Sequence, residues 1–133
     1  MLYVRDVMTP QPYSIHARDT LQHAQQIMAV HGIRHLPVMS SLGFSQVMGI
    51  VSDRDLKAAC GVPGVEPVKL AVDSVCHRNP YIVEADTPLR EVASMMADRH
   101  YGSAIIVDQG TLVGIFTTVD ACRVLTSLLQ ECR

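Results

Sequence analysis

The sequence predicts an α/β (α+β) fold made of two tandem β-α-β-β-α repeats, which pack sheet to sheet with pseudo-twofold symmetry. The main observation is internal similarity: with an offset of 68 positions, Val4 falls on Val72 and Leu21 falls on Leu89. From Gly49 onward the offset is 65, because Gly49 falls on Gly114, so the first copy carries three extra loop residues before Gly49. The length of 133 residues suits one module, since half of it could not bury both faces of its own sheet and helices.

Local signals predict the elements of the first copy. Pro10 ends a short helix, because proline cannot continue one. Thr20 is a favourable N-cap before a run of apolar residues at helical spacing, and Gly32 is placed to end that helix. Ser52 caps the next helix, which runs to about Cys60. The predicted elements are a helix at 4–8, a strand near 13–15, a helix from 21, strands at 36–39 and 46–51, and a helix from 52.

The second copy follows the same order. Thr87 and Pro88 predict the start of its long helix, with Thr87 as the cap and Pro88 at the first helical position. Residues 108–111 predict a tight hairpin turn, and Thr117 begins a last helix that runs towards Leu129. The predicted division is a first repeat at 1–60, a linker at 61–71 and a second repeat at 72–133.

Composition excludes several classes of protein. The chain is 48% hydrophobic and 18% charged, which excludes intrinsic disorder, and its net charge of −2 provides no basic face for nucleic acid. The apolar stretches are too short to span a membrane, and Arg5 and Asp6 argue against a signal peptide. We therefore expect a cytoplasmic protein whose four cysteines are reduced and packed as small hydrophobes. The apolar content of so short a chain predicts an interface between two copies.

The most specific feature is a seven-residue pattern at the same place in both copies. Gly49 to Asp55 and Gly114 to Asp120 share Gly, two apolar residues, Ser or Thr, two further residues and Asp. One interpretation is a helix start, since a hydroxyl N-cap with an acid three residues later forms a capping box. The other is a nucleotide corner, where helix N–H groups attract phosphate and the Asp accepts hydrogen bonds from ribose hydroxyls. The repeated glycine, which lets a backbone or a ligand approach closely, indicates a role beyond capping.

The repeat resembles the CBS domain, named for cystathionine β-synthase, and the tandem pair resembles a Bateman module. The resemblance extends from about Val4 to about Leu129 and rests on residues 7–10, residues 34–38 and the two motifs that end in Asp55 and Asp120. Such modules bind AMP, ADP, ATP, S-adenosylmethionine or NAD in clefts between the two repeats. The resemblance therefore implies a stand-alone regulatory module that binds an adenosine-containing ligand and signals to a partner protein.

The resemblance also implies which residues bind. Asp55 and Asp120 would each hold a ribose diol, while Ser52 and Thr117 would touch ribose or phosphate. The other candidates would contact adenine or phosphate; they are Tyr13, Ser14, Ile15, Arg34, His35, Pro37, Tyr81, Ile82, Gly102 and Ser103.

The two copies differ at their charged positions. The second copy has Gly102–Ser103 where the first has Arg34–His35, and Cys76–Arg78 where the first has Met8–Pro10. If each cleft takes its phosphate contacts from the opposite repeat, the cleft with Asp120 is the better charged one, and we expect it to bind ligand first. The cleft with Asp55 would be weak, empty or selective for a less charged ligand.

The sequence predicts no catalytic constellation. It shows no nucleophile elbow, no phosphate loop and no cluster at metal-ligand spacing, so we expect neither an enzyme, a catalytic cofactor nor a metal site. The expected partners are an adenine nucleotide or S-adenosylmethionine as regulatory ligand, a second copy of the chain and an effector protein of unknown identity, with no nucleic acid or membrane. The alternative is a ligand-free structural scaffold for dimerisation.

Overall fold

Both copies fold in the predicted β-α-β-β-α order in a computed structural model, which describes residues 1–40 and 46–132. The elements in chain order are a 3-10 helix at Val4–Asp6, β1 (Thr9–Pro10), β2 (Ile15–His16), α1 (Leu21–His31), β3 (His35–Met39), β4 (Val47–Ser52), α2 (Asp53–Cys60), a 3-10 helix at Val72–Ser74, β5 (Ile82–Glu84), α3 (Leu89–Arg99), β6 (Ser103–Asp108), β7 (Thr111–Thr117) and α4 (Thr118–Glu131). The extra loop residues predicted for the first copy fall on the segment that includes 41–45, outside the described residues.

The chain divides into two units, and the first unit comprises Tyr13–Pro80. Its sheet has the order β2-β3-β4, with β2 parallel and β4 antiparallel to β3. Leu21 and Met28 of α1 are buried in one cluster with Leu36, Val51 and Leu56. Each such side chain contributes about 1.5–3 kcal/mol of transfer free energy, which holds β4 and α2 in place at the Ser52 junction.

The second unit comprises Met1–Pro12 and Tyr81–Arg133. Its sheet has the order β1-β7-β6-β5, with β1 antiparallel to β7 and β5 parallel to β6. Val4, from the N-terminal segment, is fully buried in one cluster with Val92, Ile106 and Phe116.

The segment that opens each sequence repeat belongs to the unit formed by the other repeat. Val4 donates its backbone N–H to Thr87 at 2.9 Å, within the second unit. His77 and Ile50 exchange two backbone hydrogen bonds of 2.9 and 3.0 Å, within the first unit. Folded units and sequence repeats therefore differ, while the repeat boundaries at 1–60, 61–71 and 72–133 stay a prediction from sequence.

Most of the predicted helix and turn signals are confirmed. The Thr20 hydroxyl accepts from the His23 N–H at the start of α1, and Gly32 ends that helix with φ of 64°. Residues 108–111 form the turn between β6 and β7, with Gln109 and Gly110 at φ of 51° and 83°. The strand predicted near 13–15 is β2 and lies slightly later, at Ile15–His16. The helix predicted at 4–8 is a shorter 3-10 helix at Val4–Asp6, and Pro10 lies in β1, which pairs with β7.

The predicted start of α3 is wrong by one residue. Pro88 is the N-cap with ψ of 135°, and the helix begins at Leu89 without a side-chain cap. The N-terminal segment explains the shift, because Tyr3 bridges to Pro88 and Leu89 donates its N–H to Leu2 at 2.9 Å. These contacts hold Pro88 in an extended conformation.

Burial differs between residues of the same type and corrects the expectation that all four cysteines are packed in the interior. Met28 and Met96 are buried, whereas Met95 is exposed, because adjacent residues on a helix point about 100° apart. Cys122 and Cys132 are exposed on or beside α4, whereas Cys60 and Cys76 are partly buried. In residues 1–40 and 46–132, no helix has both the length and the apolar character needed to cross a membrane.

Candidate functional site

The repeated motif forms a complete capping box in each unit. The Thr117 N–H donates to Asp120 Oδ2 at 2.9 Å, and the Asp120 N–H donates to the Thr117 hydroxyl at 3.5 Å. The Ser52 N–H donates to Asp55 Oδ2 at 2.9 Å, and the Asp55 N–H donates to the Ser52 hydroxyl at 3.1 Å. The helix-start interpretation of the motif is confirmed for both copies.

The repeated glycine is explained by the approach of another chain segment. A Cβ atom on Gly49 would overlap the carbonyl oxygen of His77, and one on Gly114 would overlap the sulfur of Met8. Because residues 8 and 76–77 open the two sequence repeats, the glycine lets each opening segment lie against the strand that precedes the capping box.

Each capping carboxylate uses its second oxygen on that same opening segment. Asp120 Oδ1 accepts from the Thr9 hydroxyl at 3.0 Å, and the Arg123 guanidinium lies 3.7 Å away. Asp55 Oδ1 lies 3.2 Å from Nε2 of His77. Thr9 and His77 are separated by the 68 positions of the repeat, so they are equivalent residues.

We call Oδ2, which closes the capping box, the inner oxygen of each Asp, and Oδ1, which meets the opening segment, the outer oxygen. These contacts leave the outer oxygen able to accept further hydrogen bonds. A carboxylate has about four lone-pair sites, and the outer oxygen of each Asp meets one hydrogen-bond partner from the opening segment. The Asp120 side chain is 8% exposed and the Asp55 side chain 18% exposed. An acceptor held rigidly beside a helix N-terminus can receive hydroxyl hydrogen bonds while the helix N–H groups attract an anion.

We call the β4–α2 connection with its capping box the Asp55 junction, and the β7–α4 connection the Asp120 junction. The Asp55 junction has basic neighbours, and the equivalent positions at the Asp120 junction are not basic. His35 pairs with Ser52 across β3 and β4, and the Arg34 carbonyl accepts from the Asp53 N–H at 2.8 Å. Burial lowers the pKa of His35, the Asp55 carboxylate opposes that shift, and Arg34 adds to it.

Ser103 and Gly102 occupy the matching places in the second unit. Ser103 pairs with Thr117 across β6 and β7, and the Gly102 carbonyl accepts from the Thr118 N–H at 3.3 Å. The sequence alignment of Arg34–His35 with Gly102–Ser103 therefore agrees with the two sheets. That the Asp120 cleft is the better charged one stays a prediction.

The aromatic candidates have partners within their own units. Tyr13 is exposed and stacks on His31 at 3.7 Å between ring centroids, while Tyr81 stacks on Tyr101 at 5.2 Å. Burial raises the pKa of Tyr81, as do Glu91 and Tyr101.

The remaining candidates beside these rings differ in exposure. Ser14 and Ile82 are exposed. Ile15 and Pro37 are buried, so only their backbone groups remain available to a ligand.

A groove of about 740 Å³ runs from Asp120 along α4 in the second unit. One end is polar, with Thr9, Asp120 and Arg123. The remainder combines apolar side chains with Ser127 and Glu131; the other lining residues are Leu2, Val7, Met8, Pro10, Val124 and Leu128. Sequence reasoning did not place Thr9, His77 or Arg123 in the site, although the repeat offset marks the first two as equivalent.

The chain has two β-α-β-β-α repeats, and in each a strand leads through a Ser or Thr N-cap into a helix whose third residue is Asp. This arrangement defines a pair of CBS domains. The CBS domain family matches residues 4–61 and 72–127, and the chain belongs to that family. The matched ranges are CBS domains, and no catalytic domain is indicated.

Several known proteins are similar over nearly the whole chain. A CBS domain-containing protein of Dictyostelium discoideum is 28% identical over 137 residues, covering 96% of this chain and 93% of its own length. The crystal structure of a putative acetoin utilization protein (AcuB) from Vibrio cholerae has a TM-score of 0.86 and 31% identity, covering 98% of this chain and 94% of that one.

A CBS domain pair crystallised with 5′-methylthioadenosine and S-adenosyl-L-methionine has a TM-score of 0.80 and 26% identity, covering 93% of this chain and 99% of that one. In some other curated relatives the match is only 15% to 23% of the protein's length.

Proposed function

We propose that this chain is a regulatory module that binds an adenosine-containing ligand at the Asp120 and Asp55 junctions and signals the bound state to a partner protein. The observation that carries the proposal is the same arrangement in both units: a carboxylate fixed by its own helix N-terminus with acceptor capacity on its outer oxygen. A role confined to capping would require only the inner oxygen.

The chemistry of the junction fits a nucleoside. Two adjacent ribose hydroxyls both donate, and one carboxylate can accept from both. The first N–H groups of α4 and α2 favour an anionic group beyond the ribose. The similar CBS pair that was crystallised with 5′-methylthioadenosine and S-adenosyl-L-methionine supports adenosine as the shared part of the ligand.

Thermal unfolding with a ligand panel tests this proposal. The panel is AMP, ADP, ATP, S-adenosylmethionine and NAD, with GTP as the control. A ligand at about a hundred times its dissociation constant stabilises the folded state by about 2.7 kcal/mol, so the unfolding temperature should rise with at least one adenosine compound and not with GTP.

The site residues are tested by calorimetric titration. Asp120→Ala and Asp55→Ala should each weaken binding at one site, while the matched variant Asp53→Ala should bind as the native protein does, because Asp53 pairs with Lys57 at 3.0 Å. Unchanged binding by both of the first two variants would contradict the proposed sites. Ligand carried over from expression is detected by denaturing the protein and analysing what is released.

A ligand-free scaffold is the second candidate function. It is favoured by the exposed apolar side chains of α4, which include Val119, Leu125 and Leu129. A scaffold predicts that no panel compound raises the unfolding temperature and that denaturation releases no adenosine compound. It also predicts that the oligomeric state is the same with and without the panel.

A further inference from the structure

We propose that His77 sets the occupancy of the Asp55 junction by competing with the ligand for Asp55 Oδ1, which makes this junction, and not the Asp120 junction, sensitive to pH. The inference rests on the proposed function, because the competitor is a ribose hydroxyl at that oxygen. It concerns a residue that departs from its counterpart in the other repeat, since Thr9 is the equivalent of His77.

The backbone of His77 is held where its imidazole reaches Asp55. Two hydrogen bonds of 2.9 and 3.0 Å tie His77 to Ile50 of β4. Gly49 is so close to the His77 carbonyl that no Cβ would fit between them. The side chain itself is 70% exposed, and its Nε2 lies 3.2 Å from Asp55 Oδ1. A ligand hydroxyl can take this oxygen only by sharing it with the imidazole or by displacing the imidazole into solvent.

Protonation changes the strength of this competition. An imidazolium donates a charge-assisted hydrogen bond to a carboxylate, which is roughly twice as strong as a neutral one. Histidine is the side chain whose charge ordinarily changes between about pH 5 and 8. Protonated His77 therefore holds Asp55 more strongly, and ligand binding there weakens as the pH falls. The Thr9 hydroxyl at Asp120 does not ionise in this range, so it competes equally at every pH.

The other charged groups around His77 define the controls. His35 is the second imidazole at this junction, and burial lowers its pKa, with Asp55 opposing the shift and Arg34 adding to it. Arg78 donates to the Asp73 carbonyl at 3.0 Å, and Lys57 lies 3.0 Å from Asp53. The titratable and charged groups on the segments next to His77 and Asp55 are Asp53, Arg54, Asp55 and Lys57 on α2, Arg34 and His35 at the start of β3, and Asp73, Cys76 and Arg78 beside His77 in the chain.

The experiment measures adenosine binding by calorimetry between pH 5.5 and pH 8. Adenosine is the probe because it has no phosphate to titrate in this range. Asp120→Ala removes the other site, so the Asp55 junction alone is measured. We expect the affinity to fall by about tenfold from pH 8 to pH 5.5, which is the effect of one hydrogen bond becoming charge-assisted. Adding His77→Thr should abolish the pH dependence, whereas adding His35→Gln should leave it.

A reciprocal pair tests the same idea in the second unit. Asp55→Ala leaves only the Asp120 junction, whose affinity for adenosine should not vary with pH. Adding Thr9→His should create the dependence there. His77→Gln is a second variant that removes the charge and keeps a donor; it should bind adenosine without pH dependence if His77→Thr fails to fold.

The outcomes separate this inference from the proposed function. A pH-independent affinity of the Asp120→Ala protein, or a dependence that survives both His77 variants, overturns the role of His77. The role is also overturned if the native protein binds adenosine at pH 8 and the Asp120→Ala protein does not. If the native protein binds no adenosine compound at any pH, the proposed function fails and the inference fails with it.

Discussion

Gly49 and Gly114 show how single residues bring distant parts of the chain together. Each lies on the strand that leads into a capping box, and each is in contact with an opening segment of the other repeat. The contacting atoms differ: Gly49 meets the backbone carbonyl of His77, whereas Gly114 meets the flexible side chain of Met8. The cost of adding a methyl group should therefore differ between two positions that the repeat makes equivalent.

We expect Gly49→Ala to destabilise the protein by about 3 kcal/mol and Gly114→Ala by about 1 kcal/mol. The His77 carbonyl accepts from the Ile50 N–H and the His77 N–H donates to the Ile50 carbonyl, so this stretch of backbone cannot move aside, while the Met8 side chain can change rotamer. Urea unfolding gives both free energies. Gly61→Ala is the control, because its Cβ would meet its nearest neighbour at an ordinary 3.4 Å. Equal losses at the two equivalent positions would contradict this explanation.

The same residues mark a limit of the sequence analysis. The repeated Gly, hydroxyl and Asp were visible in the sequence, and so was the capping box. The sequence did not reveal what lies against each glycine. A glycine is needed whether a backbone segment or a ligand approaches closely, so the residue type alone does not distinguish the two. Only the folded chain identifies that neighbour as an opening segment. It also reveals that Thr9 and His77 contact the two carboxylates.

Helix starts are the features of whole elements that the local sequence predicts best. Thr20, Ser52 and Thr117 each accept a hydrogen bond from the third residue of their helix, as the sequence predicts. Helix α3 is the exception, because the pairing of Tyr3 with Pro88 decides where it begins. A tertiary contact of this sequence separation leaves no local signal, so propensity alone placed the cap at Thr87.

Replacing the caps should separate these two cases. We expect Thr20→Ala to lower the free energy of unfolding by about 1 kcal/mol, because it leaves the His23 N–H without its acceptor. Thr87→Ala should cost less than about 0.5 kcal/mol, since Thr87 is outside α3 and does not cap it. Chemical denaturation of the two variants measures both values. A loss at Thr87 as large as that at Thr20 would contradict the observed start of α3.

At the scale of the whole molecule, each folded unit combines most of one sequence repeat with the opening segment of the other repeat. Residues 1–12 complete the second unit, and residues 72–80 complete the first. The internal repeat predicted which elements are present, because hydrophobic spacing is a local property. It could not predict the exchange of opening segments, since either arrangement buries the same apolar residues. The exchange brings Thr9 to Asp120 and His77 to Asp55, the two carboxylates of the proposed sites.

The outer face of α4 predicts that the chain pairs with a second copy. Leu125 is 56% exposed and Leu129 is 63% exposed, and Cys122 is also exposed on the same helix. Spacings of three and four residues place these side chains on one stripe, as in helices that pair along a seam. A twofold contact uses the same patch on both chains, so we expect this stripe to pair with its own copy in a homodimer.

Light scattering coupled to gel filtration tests the pairing. The native protein should have twice the 14.6 kDa mass of one chain, and Leu125→Glu should have the mass of a monomer, because a charge cannot be buried in the seam without a partner. Gln130→Glu adds the same charge about 140° around the helix from Leu125, and it should leave the dimer intact. A monomeric native protein, or a Leu125→Glu protein that stays dimeric, would contradict pairing through α4. If Leu125→Glu is monomeric and still binds adenosine, then each chain carries its ligand junctions independently of the dimer.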